Sequence, residues 1–246
     1  GLWEAAGEVV GVVHYEWQLG EAFFEFHPAC RFLRSEMLAY AEDHLAGVSQ
    51  RDGRRYLCAY INDNDPDFIT LAQSRGYTKD IEGTRPLYRL EIADPFPAIH
   101  LPPGFRLTSL AEECDWGKVN RVLWRGFDHE GEPPAGAEEL ESRRRMFETP
   151  SVRPDLKIAV AAPDGSFAAF CGMFYEPVHR FAYVEPVATD PAYRRLGLGR
   201  AAVLEGVRRC VALGAGAAYV GSDQPFYQSL GFKKVFNSEC WVKTLA

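Results

Sequence analysis

The stretch that decides the fold reads Arg194-Arg195-Leu196-Gly197-Leu198-Gly199-Arg200-Ala201. Its two glycines leave backbone N–H groups accessible at the start of a helix, where those donors and the helix dipole can bind a phosphate or pyrophosphate. Gly214 is placed to end that helix. The stretch therefore predicts an anion-binding helix that begins at residue 198 and ends near residue 213. Its predicted apolar face is Val203, Leu204, Val207, Cys210 and Val211.

The glycines allow two other interpretations. Gly197, Gly199 and Ala202 also fit the dinucleotide fingerprint G-x-G-x-x-A, which requires a strand that runs directly into the first glycine. The strand-like run over 181–188 ends too early, and the polar residues 189–195 separate it from Gly197, so this interpretation is rejected. A glycine-containing helix start without any ligand remains open.

The segment from Tyr183 to Phe232 resembles the GNAT superfamily of N-acetyltransferases, which use acetyl-coenzyme A. Residues 194–199 match its signature R/Q-x-x-G-x-G/A. Residues 226–232, Phe-Tyr-Gln-Ser-Leu-Gly-Phe, resemble its second hallmark, which is an aromatic-Tyr pair shortly before Leu-Gly-Phe. The resemblance implies an α/β (α+β) fold, a mixed and mostly antiparallel sheet flanked by helices.

The resemblance also implies an acetyl-coenzyme A site. A strand would bind the pantetheine arm through its backbone, and Val187 in that strand would help polarise the thioester carbonyl. Pro186 cannot donate to a sheet ladder, so pairing should break there, as in the splayed strand of the family. The cofactor-binding residues are expected to be Val187, Ala188, Thr189, Arg194, Arg195, Leu196, Gly197, Leu198, Gly199 and Arg200.

Acetyl transfer needs a neutral amine, a stabilised oxyanion and a protonated leaving thiolate. Tyr227 matches the family's general acid, although a core aromatic is the alternative. Glu185 is the candidate base, with a solvent-facing strand carboxylate as the alternative. The expected acceptor-binding residues, for which an ordinary surface loop is the alternative, are Trp124, Phe127, Asp128, His129, Glu130 and Glu176.

The resemblance thus favours an N-acetyltransferase that moves an acetyl group directly to an amine in a ternary complex. A non-catalytic acyl-coenzyme A sensor or scaffold is the alternative.

The same plan occurs twice in the chain, although chance similarity of two α/β segments is the alternative. Residues 71–77 resemble residues 226–232, but Ala72 stands where Tyr227 would align, and no glycine occurs in residues 29–32. We therefore expect a partial, degenerate domain over 1–93, a Pro-rich linker over 94–104 and a catalytic domain over 105–246. The first copy has no counterpart of the family's opening strand and helices, so the chain is a fragment or another element completes that half.

Composition limits the partners. The 246 residues carry a formal charge of −7 with a pI of about 5.5, which disfavours nucleic acid. No apolar run approaches ~18 residues, so no membrane is expected. Six cysteines without metal-type spacing suggest thiols in a reducing cytoplasm and no metal. The expected partner is a small-molecule or peptide amine acceptor, and a homodimer is left open.

Overall fold

The computed structural model describes residues 1–245, which form two compact units. The first unit combines Gly1–Leu87 with the segment from Lys234 onward, and the second is Tyr88–Lys233. In chain order the strands are β1 (Leu2–Ala5), β2 (Glu8–His14), β3 (Glu21–Phe26), β4 (Gly47–Val48), β5 (Arg55–Asn62), β6 (Thr78–Glu91), β7 (Arg106–Ser109), β8 (Lys157–Ala161), β9 (Phe167–Glu176), β10 (Phe181–Thr189), β11 (Ala217–Val220) and β12 (Lys233–Leu245). The α-helices are α1 (Arg34–His44), α2 (Pro66–Ser74), α3 (Trp116–Gly126), α4 (Ala137–Met146), α5 (Leu198–Ala212) and α6 (Pro225–Ser229).

The first unit has a sheet in the order β1-β2-β3-β5-β12-β6, with β4 paired to β5. Its core lies between this sheet and helices α1 and α2, where Met37, Leu57 and Phe68 are buried together. Asp65 caps α2 by accepting a hydrogen bond from the backbone N–H of Phe68, and Pro66 suits the first helical turn. Phe32 precedes α1 in a short 3-10 helix and is 77% exposed, so it does not contribute to this core.

The second unit has a sheet in the order β6-β11-β10-β9-β8-β7, in which residues 88–91 of β6 take part. Alternation along β8 divides its core into two layers. Ile158 and Val160 belong to the layer that contains α5, whereas Ala159 and Ala161 belong to the layer that contains α3. Among the described residues, the pairing of β10 with β11 is the only parallel one in this strand order, and the other pairings are antiparallel. The predicted mixed, mostly antiparallel sheet is therefore confirmed.

The first unit repeats the plan of the second. In each unit a parallel three-residue register joins a strand to its neighbour: residues 21–23 pair with 58–60, and residues 181–183 pair with 217–219. The turn that follows α2 and the turn that follows α6 also form the same hydrogen bonds. The N–H of Tyr77 donates to Ala72 O at 3.1 Å, and the N–H of Phe232 donates to Tyr227 O at 3.1 Å. Gly76 and Gly231 supply the positive φ that such helix ends require.

The compact units do not coincide with the predicted boundaries. Strand β12 pairs with β5 in the first unit, whereas residues 88–91 pair with β11 in the second. The segment 94–104, expected to be a linker, has no helix or strand, but Phe96, Ile99 and Leu101 pack against the core of the second unit. Local patterns predict strands but not the partner that each strand chooses, so the pairings could not be read from the sequence.

Cysteine usage also differs from expectation. Cys171 and Cys210 are free, buried thiols. Cys58 and Cys240, however, form a disulfide, because the pairing of β5 with β12 brings together two residues that lie 182 positions apart in the chain. Across residues 1–245, no helix has the length and apolar character needed to span a membrane. Within the same residues no three His, Cys, Asp or Glu side chains cluster as metal ligands would.

Candidate active site

A cleft of about 1110 Å³ opens in the second unit where β10 and β11 separate. Their parallel pairing ends at Tyr183 and Tyr219, although β10 continues to Thr189. Residues 183–187 of β10 line one side of the cleft, and residues 220–222, which end and follow β11, line the other. The edge of β10 beyond Tyr183 is therefore released from β11, which is the splay that Pro186 suggested.

The break in β10 is a bulge centred on Glu185 and Pro186. On its other edge β10 pairs with β9, but the register shifts between Val184 and Val187. Gly172 of β9 lies opposite the bulge, and a Cβ at that position would lie 2.3 Å from the carbonyl oxygen of Glu185. Glycine is therefore required at position 172, because the bulged chain fills the space of a side chain.

The predicted phosphate loop follows β10 and leads into α5. Asp190 begins it by capping the short 3-10 helix Pro191–Tyr193, with Ala192 N–H donating at 2.9 Å. Arg195 and Gly197 both have positive φ, at 67° and 79°. Among residues 1–245, no acceptor is hydrogen-bonded to the backbone N–H groups of residues 195–200. This row of N–H groups at the amino end of a 15-residue helix is a ready anion site.

Arg195 has a left-handed backbone conformation although it is not glycine. Many members of the family that the sequence resembles carry glycine at this position, and glycine adopts such a φ without strain. A non-glycine residue in this conformation costs about 1–2 kcal/mol of folding free energy, which other interactions must offset.

The arginine side chains near the loop serve different purposes. The Arg194 guanidinium donates to Gly126 O at 3.0 Å and to Asp128 Oδ1 at 2.8 Å, so it ties the loop to the end of α3. Arg200 donates from Nη1 to Ser229 O at 3.4 Å. All three arginines of the signature stretch, Arg194, Arg195 and Arg200, line the cleft and make it locally positive.

A buried carboxylate holds the start of the loop against α3. Asp190 is 1% exposed and accepts from Arg125 Nε at 2.7 Å and from Arg121 Nη1 at 3.4 Å. Gly126, at the end of α3, approaches β10 so closely that a Cβ there would lie 2.7 Å from Ala188 Cβ. The helix that leads to the expected acceptor loop is thus packed directly on the expected cofactor strand.

Tyr227 lies in α6 and lines the cleft although it is only 7% exposed. The rings of Phe226 and Phe232 pack edge-on against it, with centroids 5.0 and 5.8 Å away. Burial raises the pKa of the Tyr227 phenol, and neighbouring Cys171, Glu185 and Tyr183 raise it further. The phenol therefore keeps its proton at neutral pH, as a general acid must.

Glu185 presents an exposed carboxylate to the same cleft, and Tyr183 lines it two residues earlier. The bulge gives both residues of the Glu185–Pro186 pair access to the cleft. Candidate acid and candidate base therefore share one cavity with the phosphate loop.

The predicted acceptor residues fall into three places. Phe127 and Asp128 line the main cleft, whereas His129 and Glu130 line a neighbouring cavity of about 500 Å³. Trp124 supports this loop: its ring centroid lies 4.6 Å from that of His129, and its Nε1 donates to Gly131 O at 3.2 Å.

Glu176 does not line either cavity. Its carboxylate accepts from the backbone N–H groups of Val178 and His179, because it closes the turn between β9 and β10. Those hydrogen bonds lower the pKa of the Glu176 carboxyl group.

Two predicted cofactor residues also lie off the lining. Ala188 is buried with the residues that pack around α3, and Leu196 is 46% exposed and does not line the cleft. Several lining residues were not predicted, since nothing in their local sequence marks them. They are Val184, Val220, Gly221, Ser222, Gln224, Pro225 and Ser229.

Known proteins resemble this chain in sequence and in fold. The family model described as Acetyltransferase (GNAT) family matches residues 118–232, which lie within the second unit. A mycothiol acetyltransferase from Kineococcus radiotolerans is 30% identical over 177 residues, which is 67% of this chain and 52% of that protein. The chain thus spans about half the length of the curated relative that it matches.

Two solved structures resemble the fold of nearly the whole chain. A GCN5-related N-acetyltransferase from Sphaerobacter thermophilus has a TM-score of 0.67 at 16% identity, covering 97% of this chain and 78% of that one. A tandem GNAT protein from the clavulanic acid biosynthesis pathway has a TM-score of 0.68 at 17% identity, covering 98% and 81%. The matched segment and the two sequence hallmarks show that residues 118–232 of the second unit belong to the GNAT acetyltransferase family.

Proposed function

We propose that the second unit is an N-acetyltransferase that uses acetyl-coenzyme A and transfers the acetyl group directly to an amine in a ternary complex. One observation carries the proposal. The loop 195–200, whose backbone N–H groups have no hydrogen-bond acceptor within residues 1–245, lines the same cleft as Tyr227. A site that only bound an acyl carrier would need the first feature but would not need a protonated phenol beside it.

The residues present fit a thioester with a diphosphate. Backbone N–H groups and Arg195 and Arg200 offer donors and positive charge for the diphosphate. The free edge of β10 offers backbone groups for an extended arm, because β11 no longer pairs with it beyond Tyr183. In this proposal the thioester lies near the bulge at Glu185, in the cavity that Tyr227 also lines.

The chemistry divides between two side chains. Glu185 accepts a proton from the incoming ammonium, directly or through water, so that the neutral nitrogen can attack the thioester carbon. As the carbon–nitrogen bond forms and the carbon–sulfur bond breaks, Tyr227 donates its proton to the leaving sulfur. Glu185 passes this first proton to solvent and then accepts the second proton, which the nitrogen loses as the amide forms. The products are an acetamide and the free thiol. Tyr227 regains a proton from solvent and Glu185 releases its second one, so one proton is released overall for each acetyl group transferred.

Asp128 and Glu185 line the cleft with carboxylates, which suits a cationic amine as acceptor. The name of the Kineococcus relative supports a small-molecule acceptor over a protein one. Amine precursors of mycothiol therefore belong in a first panel of acceptors, together with peptide amino termini and lysine.

The test measures thiol release from acetyl-coenzyme A with that panel, for the parent protein and for Tyr227→Phe. We expect Tyr227→Phe to lower turnover at least about tenfold while coenzyme A affinity stays within about twofold, since general acid catalysis contributes about 10²–10⁴.

Tyr175→Phe is the matched control. In the parent protein the Tyr175 hydroxyl donates to Leu213 O at 2.7 Å, and Tyr175 does not line the cleft. Turnover of Tyr175→Phe should therefore stay close to the parent value. Equal turnover of Tyr227→Phe and the parent would remove Tyr227 from the mechanism. Coenzyme A binding without thiol release for any amine would indicate a sensor or scaffold instead.

A further inference from the structure

Arg194 opens the signature stretch, and its side chain makes three hydrogen bonds outside the phosphate loop. Its Nη2 donates to Asp128 Oδ1 at 2.8 Å and to Gly126 O at 3.0 Å, at the carboxyl end of α3. Its Nε donates to Thr189 O at 3.3 Å, at the end of β10. The guanidinium therefore joins the strand that precedes the phosphate loop to the residues that follow α3.

Asp128, the ion-pair partner of Arg194, lies where two cavities meet. Among residues 1–245 it is the only residue that lines both the main cleft and the neighbouring cavity of about 500 Å³. Its φ of 57° is a left-handed conformation that few non-glycine residues adopt. Its backbone N–H donates to Arg125 O at 3.1 Å, so the chain leaves α3 in a tight turn at this point. The side chain of Arg194 is a second tether on that turn.

The Asp128 carboxylate has one oxygen held and one oxygen free. Oδ1 accepts from Arg194, and within residues 1–245 Oδ2 accepts no hydrogen bond. The carboxylate is 67% exposed, so the ion pair itself adds little to stability. Its consequence is geometric, because a guanidinium that also binds Gly126 O fixes the position of the carboxylate. The free oxygen can then accept a charge-assisted hydrogen bond from an ammonium.

Arg200 provides the contrast, because it belongs to the same signature stretch and also lines the cleft. It lies in the first turn of α5, and its Nη1 donates to Ser229 O at 3.4 Å. Over residues 1–245, no carboxylate oxygen lies within 4.0 Å of its guanidinium. Its positive charge is therefore uncompensated and can attract a diphosphate, whereas the charge of Arg194 is balanced by Asp128.

We propose that Arg194 is a positioning residue for the acceptor amine: it holds the Asp128 carboxylate where the ammonium of that amine binds. The proposal rests on the proposed function, which assigns a cationic amine to the cleft that Asp128 lines. Arg194 acts on the amine only through Asp128, and it contributes little to coenzyme A binding because its charge is neutralised locally. Arg194 and Arg200 thus serve different ligands, although both belong to one sequence motif.

Arg194→Gln and Arg200→Gln form a matched pair, because each removes one cation that lines the same cleft. In calorimetric titrations with coenzyme A at physiological ionic strength, Arg194→Gln should bind within about twofold of the parent. Arg200→Gln should bind at least about threefold more weakly, since it loses an uncompensated charge near the diphosphate. A loss of affinity in Arg194→Gln as large as that in Arg200→Gln would place Arg194 at the cofactor and overturn the proposal.

Steady-state kinetics separate the acceptor amine from the cofactor. The assay uses saturating acetyl-coenzyme A and the panel amine that gives the fastest thiol release. Arg194→Gln should raise KM for that amine about three- to tenfold while kcat stays within about twofold, because a misplaced carboxylate weakens ammonium binding but leaves the reacting groups in place. In an Asp128→Asn background, Arg194→Gln should raise KM no further. An equal increase in that background would show that Arg194 does not act through Asp128.

Amide hydrogen exchange tests the contact without turnover or ligand. In the cofactor-free protein, a peptide that covers residues 127–132 should exchange about two- to fivefold faster in Arg194→Gln than in the parent, because the turn loses its side-chain tether. Arg200→Gln should leave that peptide unchanged. Unchanged exchange in Arg194→Gln overturns the role of Arg194 even if thiol release is robust. Absent thiol release with every amine overturns the proposed function, whereas the exchange and titration results still decide whether Arg194 holds Asp128.

Discussion

Gly197→Glu places a carboxylate where the diphosphate is expected to bind. Gly197 has φ of 79°, and no atom lies within 4 Å of an added Cβ, so the new side chain meets no steric obstacle. The left-handed backbone should cost about 1–2 kcal/mol of folding free energy. That penalty acts on stability alone, because the loop already has this conformation before any ligand binds.

The effect on binding is electrostatic. Two unit charges about 5 Å apart repel by about 0.8 kcal/mol in water and by about 3.3 kcal/mol at an effective dielectric constant of 20. The loop lines an open cleft, so an intermediate value of about 1.4–2 kcal/mol is reasonable, and it corresponds to a coenzyme A Kd about 10- to 30-fold higher. Raising the salt concentration should reduce the difference.

Isothermal titration with coenzyme A measures this effect, and two controls separate its causes. Gly197→Gln has almost the same shape without the charge, so it should bind nearly as the parent does. Gly165→Glu carries the same charge in a turn of the same unit with φ of 82° and no atom within 4 Å, but it is not part of the cleft. It should lose stability without losing affinity. If Gly197→Glu bound coenzyme A as tightly as Gly197→Gln, the diphosphate would not lie at this loop.

Two stability predictions follow from buried charges of the second unit. Asp190→Asn should lower the free energy of unfolding by about 2 kcal/mol and weaken coenzyme A binding, since Arg125 and Arg121 lose their buried partner. Glu132→Gln, which removes an exposed partner of the same Arg125, should change neither in urea melts and titrations. For Lys157, the folded pKa of about 8 lies below the ordinary 10.5, so the unfolded chain binds the proton more tightly between these values. Stability relative to Lys157→Met should therefore rise from about pH 8 to pH 10, by up to about 3 kcal/mol, and a flat difference in urea melts would contradict it.

The loop and its helix were predictable because their signals are local. Gly197 and Gly214 each indicate a backbone conformation at one position, and the apolar spacing between them indicates a helix. The helix spans Leu198–Ala212, which is close to the prediction. Gly214 adopts a φ of 106°, and Ala215 N–H donates to Cys210 O, as expected after a helix end. Glu205 lies outside the predicted apolar face of α5 but is only 5% exposed, because Arg208 and Arg209 pair with it. Long side chains can bury a neighbour that periodicity alone places in water.

The features that the sequence did not reveal depend on contacts between distant parts of the chain. The disulfide, the pairing of β12 and the environment of Lys157 all follow from which strands lie side by side. Strand pairing depends on the complete sheet, and a one-residue shift in register would put Lys157 on the opposite face. Glu176 was predicted wrongly because of contacts close in the sequence. The backbone N–H groups of Val178 and His179 donate to its carboxylate, which the prediction had assigned to the acceptor site.

The two units show why the site has to be argued from single side chains. Both retain the parallel three-residue register and the same hydrogen bonds after the short helix, because these satisfy backbone groups that burial would otherwise leave unpaired. The side chains proposed to act in catalysis are not needed to satisfy these backbone groups. In the first unit Ala72 takes the place of Tyr227, and the rings of Phe23 and Tyr60 stack with centroids 4.5 Å apart at the parallel register. Arg85 covers the Tyr60 ring at 4.4 Å. The fold thus persists where the matching tyrosine is absent, so the fold cannot establish activity, whereas the Tyr227 variant can test it.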